Sequence, residues 1–159
     1  MSPTAVKEEE FKLNQETTGL TERDLTYAVA DGGLQVVFEY AVPTGMSFIF
    51  RQEDTFAAYL EDDGVPAECV VGTEVDIVVM DSAKQNSRSL LNKLRYGNIK
   101  DFTDADKLVH LDIPKGEYII AKEGERICIR VNNSSTSTID ASVCYWVLTC
   151  KRIRHTLFE

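Results

Sequence analysis

From Asp24 onward the apolar and polar side chains follow the two-residue period of strands, not the 3.6-residue period of helices. Residues 34–42 form a β-type run that follows the turn residues Asp31-Gly32-Gly33 and stops at Pro43-Thr44-Gly45. Further runs follow at 46–51, 55–61 and 74–81. The last begins by alternating at Val75 and Ile77 and becomes continuously apolar, the pattern of a strand covered on both faces. Residues 87–96 are ambiguous. Leu90, Leu91 and Leu94 fit a helical stripe, but the run is short and ends at Gly97-Asn98, which favours a strand or a single helical turn.

Short runs at 99–102 and 107–111 flank the acidic turn Thr103-Asp104-Ala105-Asp106. A strand over 117–122 and another over 126–131 are joined by Glu123-Gly124-Glu125, a hairpin-like connector. In the second of them Ile127, Ile129 and Val131 share one face, and Cys128 and Arg130 the other. A long closing strand over 139–151 sets Ala141, Val143, Tyr145, Val147 and Thr149 against Ser142, Cys144, Trp146, Leu148 and Cys150. Eight to ten short strands, with turns every 8–12 residues, predict an all-β fold, a sandwich or barrel, over residues 25–159. No helix-length amphipathic segment separates the strands, which disfavours a βαβ architecture. No fixed-period repeat suggests a propeller or solenoid.

Residues 1–24 differ in texture. Lys7, Glu8, Glu9, Glu10, Lys12 and Glu16 surround a few scattered apolar positions. This predicts an extended or flexible N-terminal arm. Phe11 and Leu13, two apart, would point the same way in an extended segment and are the candidate anchors on a partner.

The composition is that of a globular chain, with 43% hydrophobic and 27% charged residues. At 159 residues it suffices for one domain with a real core. The net charge of -9 argues against nucleic acid as the main partner, since phosphate binding wants a basic face. No apolar run is long enough for a membrane span, and no secretory leader is recognised. The charge is uneven. Residues 1–80 carry 4 Lys and Arg against 16 Asp and Glu, and residues 81–159 carry 13 against 10. If those halves map to faces, complementary patches would steer self-association or docking on a larger particle.

Candidate chemistry is sparse. Cys69, Cys128, Cys144 and Cys150 form no C-x-x-C pair, and only His110 and His155 could join them, so a zinc site is not expected. The cysteines read as buried free thiols. Cys144 and Cys150 share a strand face but lie about 20 Å apart along it. Asn132 and Asn133 sit in sequons, which read here as part of a polar turn. No G-x-S-x-G, P-loop or dinucleotide-binding motif occurs. His110 lies within a β-run and reads as a strand residue before a base. The acidic group Asp101, Asp104 and Asp106 has the spacing to offer oxygens to a hard cation, but lacks the glycine and later glutamate of an EF-hand. No cofactor is expected. Trp146 reads as core, or as a sugar-binding platform if exposed.

The second half resembles the jelly-roll sandwiches of virion accessory proteins, including capsid decoration (cement) proteins of tailed viruses. The residues that carry the resemblance are Ile113-Pro114-Lys115-Gly116-Glu117-Tyr118-Ile119-Ile120-Ala121, then Glu123-Gly124-Glu125-Arg126-Ile127-Cys128-Ile129-Arg130-Val131, and the closing strand from Trp146 to Arg154. Tyr40-Ala41-Val42-Pro43-Thr44-Gly45 looks like the opening turn of such a sandwich. The resemblance implies a single jelly-roll-like β-sandwich with a non-enzymatic role in binding and stabilising a capsid lattice, as decoration or minor capsid protein. Its partners would be the major capsid protein or other virion proteins. It would self-associate, a trimer at a threefold point being one arrangement, and reside in the virion after assembly in the host cytoplasm. The family has no diagnostic catalytic or binding motif, so no residue inherits a role. The competing reading is a carbohydrate- or receptor-binding sandwich.

Overall fold

The computed structural model describes residues 7–18, 28–29, 34–59, 74–83, 85–95, 109–132, 139–140 and 145–155. Among these the chain is all-β apart from one helical turn. Strands are numbered in chain order.

The first sheet is organised by the long strand β12 (Tyr145–Arg154). One edge of it carries β1 (Glu8–Leu13) over Leu148–Ile153. Its other edge carries two strands in succession: β5 (Thr55–Tyr59) from Tyr145 to Leu148, and β4 (Met46–Arg51) from Lys151 to Arg154. Leu148 is paired with both Leu13 and Phe56, and Lys151 with both Glu10 and Ile49, so both edges of β12 are used. β4 and β5 are in effect one strand interrupted by a loop at 52–54. Beyond them β9 (Tyr118–Lys122) pairs with β4, and β8 (Val109–His110) with β5.

The second sheet has the order β3 (Leu34–Ala41), β10 (Arg126–Asn132), β6 (Glu74–Met80), β7 (Ser87–Arg95), all antiparallel. β2 (Ala28–Val29) and β11 (Ile139–Asp140) form a separate short pair. The expected 46–51 strand is found as such, and the described part of the ambiguous 87–96 segment, Ser87–Arg95, is a strand. The long closing strand is described as β11 and β12. The run at 99–102 lies outside the described residues.

Alternation explains the core. Phe48, Phe50, Phe56, Leu148 and Leu13 from the first sheet meet Ile77, Leu90 and Ile127 from the second, all fully buried. Burying each such side chain contributes about 1.5–3 kcal/mol before the entropy of ordering it is set against it. Trp146 stands edge-on to Phe38 between the sheets, with centroids 4.3 Å apart at 62°. Val75, Asp76, Ile77, Val78 and Val79 are all buried, so β6 is covered on both faces as its apolar centre implies.

Residues 111–113 strap one side of the sandwich. Leu111 N–H donates to the Asp54 carbonyl at 3.0 Å, and Asp112 N–H to the Leu90 carbonyl at 2.9 Å. Leu111 and Ile113 plug the gap beneath, both buried. At one end, Gly45 has φ +79°, a left-handed turn that suits glycine. Its carbonyl accepts from His155 N–H at 2.8 Å, and its N–H donates to Glu123 at 2.7 Å, tying two turns to the end of β12.

The helical turn α1 (Gln15–Thr18) directly follows β1. Asn14 caps it: its side-chain oxygen accepts from Thr17 N–H at 2.8 Å, while its own N–H donates to the Thr17 hydroxyl at 3.0 Å.

Candidate functional site

The sequence expected Phe11 and Leu13 to reach a partner. The structure places both in the chain's own sandwich. Leu13 is 1% exposed and belongs to the core. Phe11 packs against Phe48, with centroids 5.7 Å apart, and carries the Arg152 guanidinium 4.2 Å above its ring. While β1 is docked, neither side chain is free to anchor a neighbour. The row of glutamates that hid this strand in the sequence is what fixes it electrostatically. Glu8 pairs with Arg51 at 2.8 Å, Glu9 with Arg152 at 2.9 Å and Glu10 with Lys151 at 3.2 Å. The hydrogen bond from Arg152 holds the Glu9 carboxyl below the usual range. Part of the charge asymmetry between the halves of the chain is thus spent in the β1–β12 seam.

The outward side of this seam opens a groove of about 560 Å³, lined by Glu10, Lys12, Glu53, Asp54, Thr149 and Lys151 among others. Asp54 organises the loop that interrupts β4 and β5. Its carboxylate accepts from Arg51 N–H at 2.8 Å and from the Thr149 hydroxyl at 3.2 Å. Burial raises its pKa, against the lowering effect of those hydrogen bonds. Both carboxylate oxygens are engaged, so this is a structural staple.

A second, shallower groove of about 450 Å³ lies on the outward face beside β4 and β9, lined by Ser47, Ile120, Lys122, Glu123, Ile153 and His155. Ser47 Oγ and His155 Nε2 are 2.8 Å apart. A serine–histidine contact needs an orienting group and oxyanion donors before it can do acyl chemistry. Glu123 is instead turned to Gly45 N–H.

The other sequence candidates resolve as follows. Asp101, Asp104 and Asp106 lie outside the described residues. Among the described residues no group of three or more His, Cys, Asp or Glu side chains could hold a metal ion. Cys128 is buried, its Sγ 3.9 Å from Glu39 Oε1 and 3.7 Å from Met80 Sδ, and Cys150 is a buried thiol that burial pushes far up, away from the reactive thiolate. Cys69 and Cys144 lie outside the described residues. His110 is exposed on β8. Trp146 is 5% exposed and lies in the core, so it cannot serve as a platform. Among the described residues the exposed large apolar side chains are Val36 and Tyr118.

On the outward face of the second sheet, Asp76 and Arg130 form a two-point ion pair at 2.7 and 2.9 Å. Sequence reading missed Asp76, which sits in an apolar run, and it missed Asp54. Asp76 has no local signal, because its partner is 54 residues away; Asp54 has one partner nearby, Arg51 N–H, but the other, Thr149, is 95 residues away.

No protein-family description matches the chain, and no curated protein matches it. Among solved structures the sandwich is similar to VP17, a capsid protein of bacteriophage P23-77. The two are 9% identical, the match covers 95% of this chain and 99% of that one, and the TM-score is 0.58. A match to the VP2 subviral particle of infectious bursal disease virus is 7% identical and covers 93% of this chain and 42% of that one. Its TM-score is 0.31, too low to bear on the fold. At 9% identity the first likeness is one of architecture: this chain has a fold used by a viral capsid protein.

Proposed function

We propose that this chain is a non-enzymatic structural protein of a virion. It binds and stabilises a capsid lattice in a decoration (cement) or minor capsid role, with the major capsid protein or other virion proteins as partners. The observation that carries the reading is the end-to-end match to a capsid protein, 95% of one chain on 99% of the other. A shared core motif inside unrelated surroundings would leave much of one chain unmatched. Fold alone does not assign function. The surface chemistry agrees with the reading: in the described grooves the Asp54 and Glu123 carboxylates are engaged in holding turns, and charged groups sit on sheet faces and edges. In this role binding energy comes from area buried between subunits, less the cost of ordering them.

The test is sedimentation of the native protein from its source, followed with an antibody. Co-migration with megadalton particles, and retention through a second gradient, is the expected result. Recovery only as a free species of tens of kilodaltons would overturn the reading.

A further inference from the structure

We propose that the free edge of β1 is a two-fold interface between copies of this chain, formed by antiparallel pairing of β1 with β1. The proposal names a self-partner for the virion reading but rests on sheet geometry alone.

β12 has both edges occupied, one by β1 and the other by β4 and β5. β1 therefore ends its sheet, and among the described residues nothing pairs with its second edge. The Glu10 side chain, in the middle of the strand, is 90% exposed, so the outward face is open there. The strand is also rigidly held, by Leu13 in the core, Phe11 on Phe48 and three ion pairs. An ordered row of backbone donors and acceptors is a template for another strand.

Charges on an edge strand ordinarily repel a second edge. Here they select a register. A two-fold axis perpendicular to the sheet keeps outward residues outward, so only residues of like parity can oppose each other. Centring the axis on Glu9 sets Glu8 against Glu10 twice and Glu9 against itself. Centring it on Glu10 sets Glu8 against Lys12 twice but Glu10 against itself. Centring it on Lys12 sets Lys12 against itself. Centring it on Phe11 sets Glu10 against Lys12 twice, with Phe11 beside its symmetry mate and Glu9 against Leu13. This is the one centre among the four that makes opposite-charge pairs with no like-charge pair. An isologous contact requires such self-complementarity, and β1 has it in Glu10-Phe11-Lys12.

The test uses the purified full-length chain, without other virion proteins, in sedimentation equilibrium at physiological ionic strength. There the mutual repulsion of chains of net charge -9 is largely screened. The wild type is expected to dimerise. Glu10→Lys alone and Lys12→Glu alone each turn two attractive pairs into repulsive ones and should weaken the dimer about tenfold or more. The compensated variant Glu10→Lys/Lys12→Glu, made together with Lys151→Glu so that the ion pair of position 10 within the chain is kept, restores both pairs and should recover the wild-type constant. Glu10 and Lys12 are both exposed, and circular dichroism checks that each variant is folded. A wild type that stays monomeric at millimolar concentration overturns the proposal. So does a dimer indifferent to the single reversals, or one that the compensated variant fails to rescue. Any of these results leaves the virion reading to be decided by its own gradient experiment.

Discussion

At the scale of single residues, Asp54 and Trp146 make opposite statements about polar groups in a small core. Asp54 is a carboxylate held out of water by the loop it staples, and burial raises its pKa above the usual 3.8. The native state therefore binds a proton more readily than the unfolded chain. Its contribution to stability is fully present below 3.8 and is lost as pH rises through the raised native value. Asp54→Asn keeps the shape and an acceptor for Arg51 N–H but carries no titrating charge. Urea unfolding of both proteins across this window should show the wild type losing ground to the variant as pH rises. A difference that grows in the wild type's favour would contradict the assigned cause. Trp146 is the chain's single tryptophan and reports its own surroundings. Its Nε1 is buried and has no hydrogen-bond partner among the described residues. Emission should be blue-shifted in the native state and move red on unfolding. Trp146→Ala should cost about 3–5 kcal/mol, measured by chemical denaturation. A fully folded alanine variant with unchanged stability would place the ring on the surface instead.

At the scale of elements, legibility in the sequence followed the physics of alternation. β4, β6 and β10 could be read because their inward positions carry Phe, Val and Ile, whose side chains declare a face, whereas the leucines of β7 fitted a helical stripe as well. β1 could not, because its inward positions are Glu9, Phe11 and Leu13. A glutamate faces inward there only because Arg152, on the strand that closes the chain, meets it. The loop between β4 and β5 was legible as a break, but not as an interruption of one strand, since its staple is Thr149. Asp76 is the same lesson on the other sheet: an acid in an apolar strand signals a partner, but not which one. That partner is Arg130, directly opposite in the register. Asp76→Ala would strand the half-buried guanidinium and should destabilise by about 1–3 kcal/mol, less than for a fully buried pair because Arg130 keeps some access to water. Asp76→Leu with Arg130→Met replaces both partners by apolar groups and should recover most of that loss. Thermal melts of the two variants against wild type decide it. If the single change costs nothing, the pair is an exposed contact of little energetic consequence.

At the scale of the whole molecule, the question is whether the acidic N-terminal segment is an appendage or a wall of the sandwich. Its sequence argues for an appendage and its contacts argue for a wall. Leu13 fills the core beneath Leu148, and Phe11 covers Phe48. Removing residues 1–13 would withdraw two large apolar side chains and uncover the edge of β12. By area that loss is about 3–6 kcal/mol, before the freed edge is considered. It is a substantial share of the ~5–15 kcal/mol that holds a domain of this kind folded. The truncated chain should therefore melt well below the full chain. It should also tend to aggregate, since β12 would then offer an unpaired edge along much of its length. In the intact protein, backbone amides of residues 8–13 that donate to β12 should exchange with solvent as slowly as those in the β12–β4 ladder. Hydrogen exchange by mass spectrometry reads both segments in one experiment. Fast exchange throughout 8–13, with a truncated chain as stable as the full one, would make β1 a loosely held arm after all. Its pairing with β12 would then be better placed between subunits than within one.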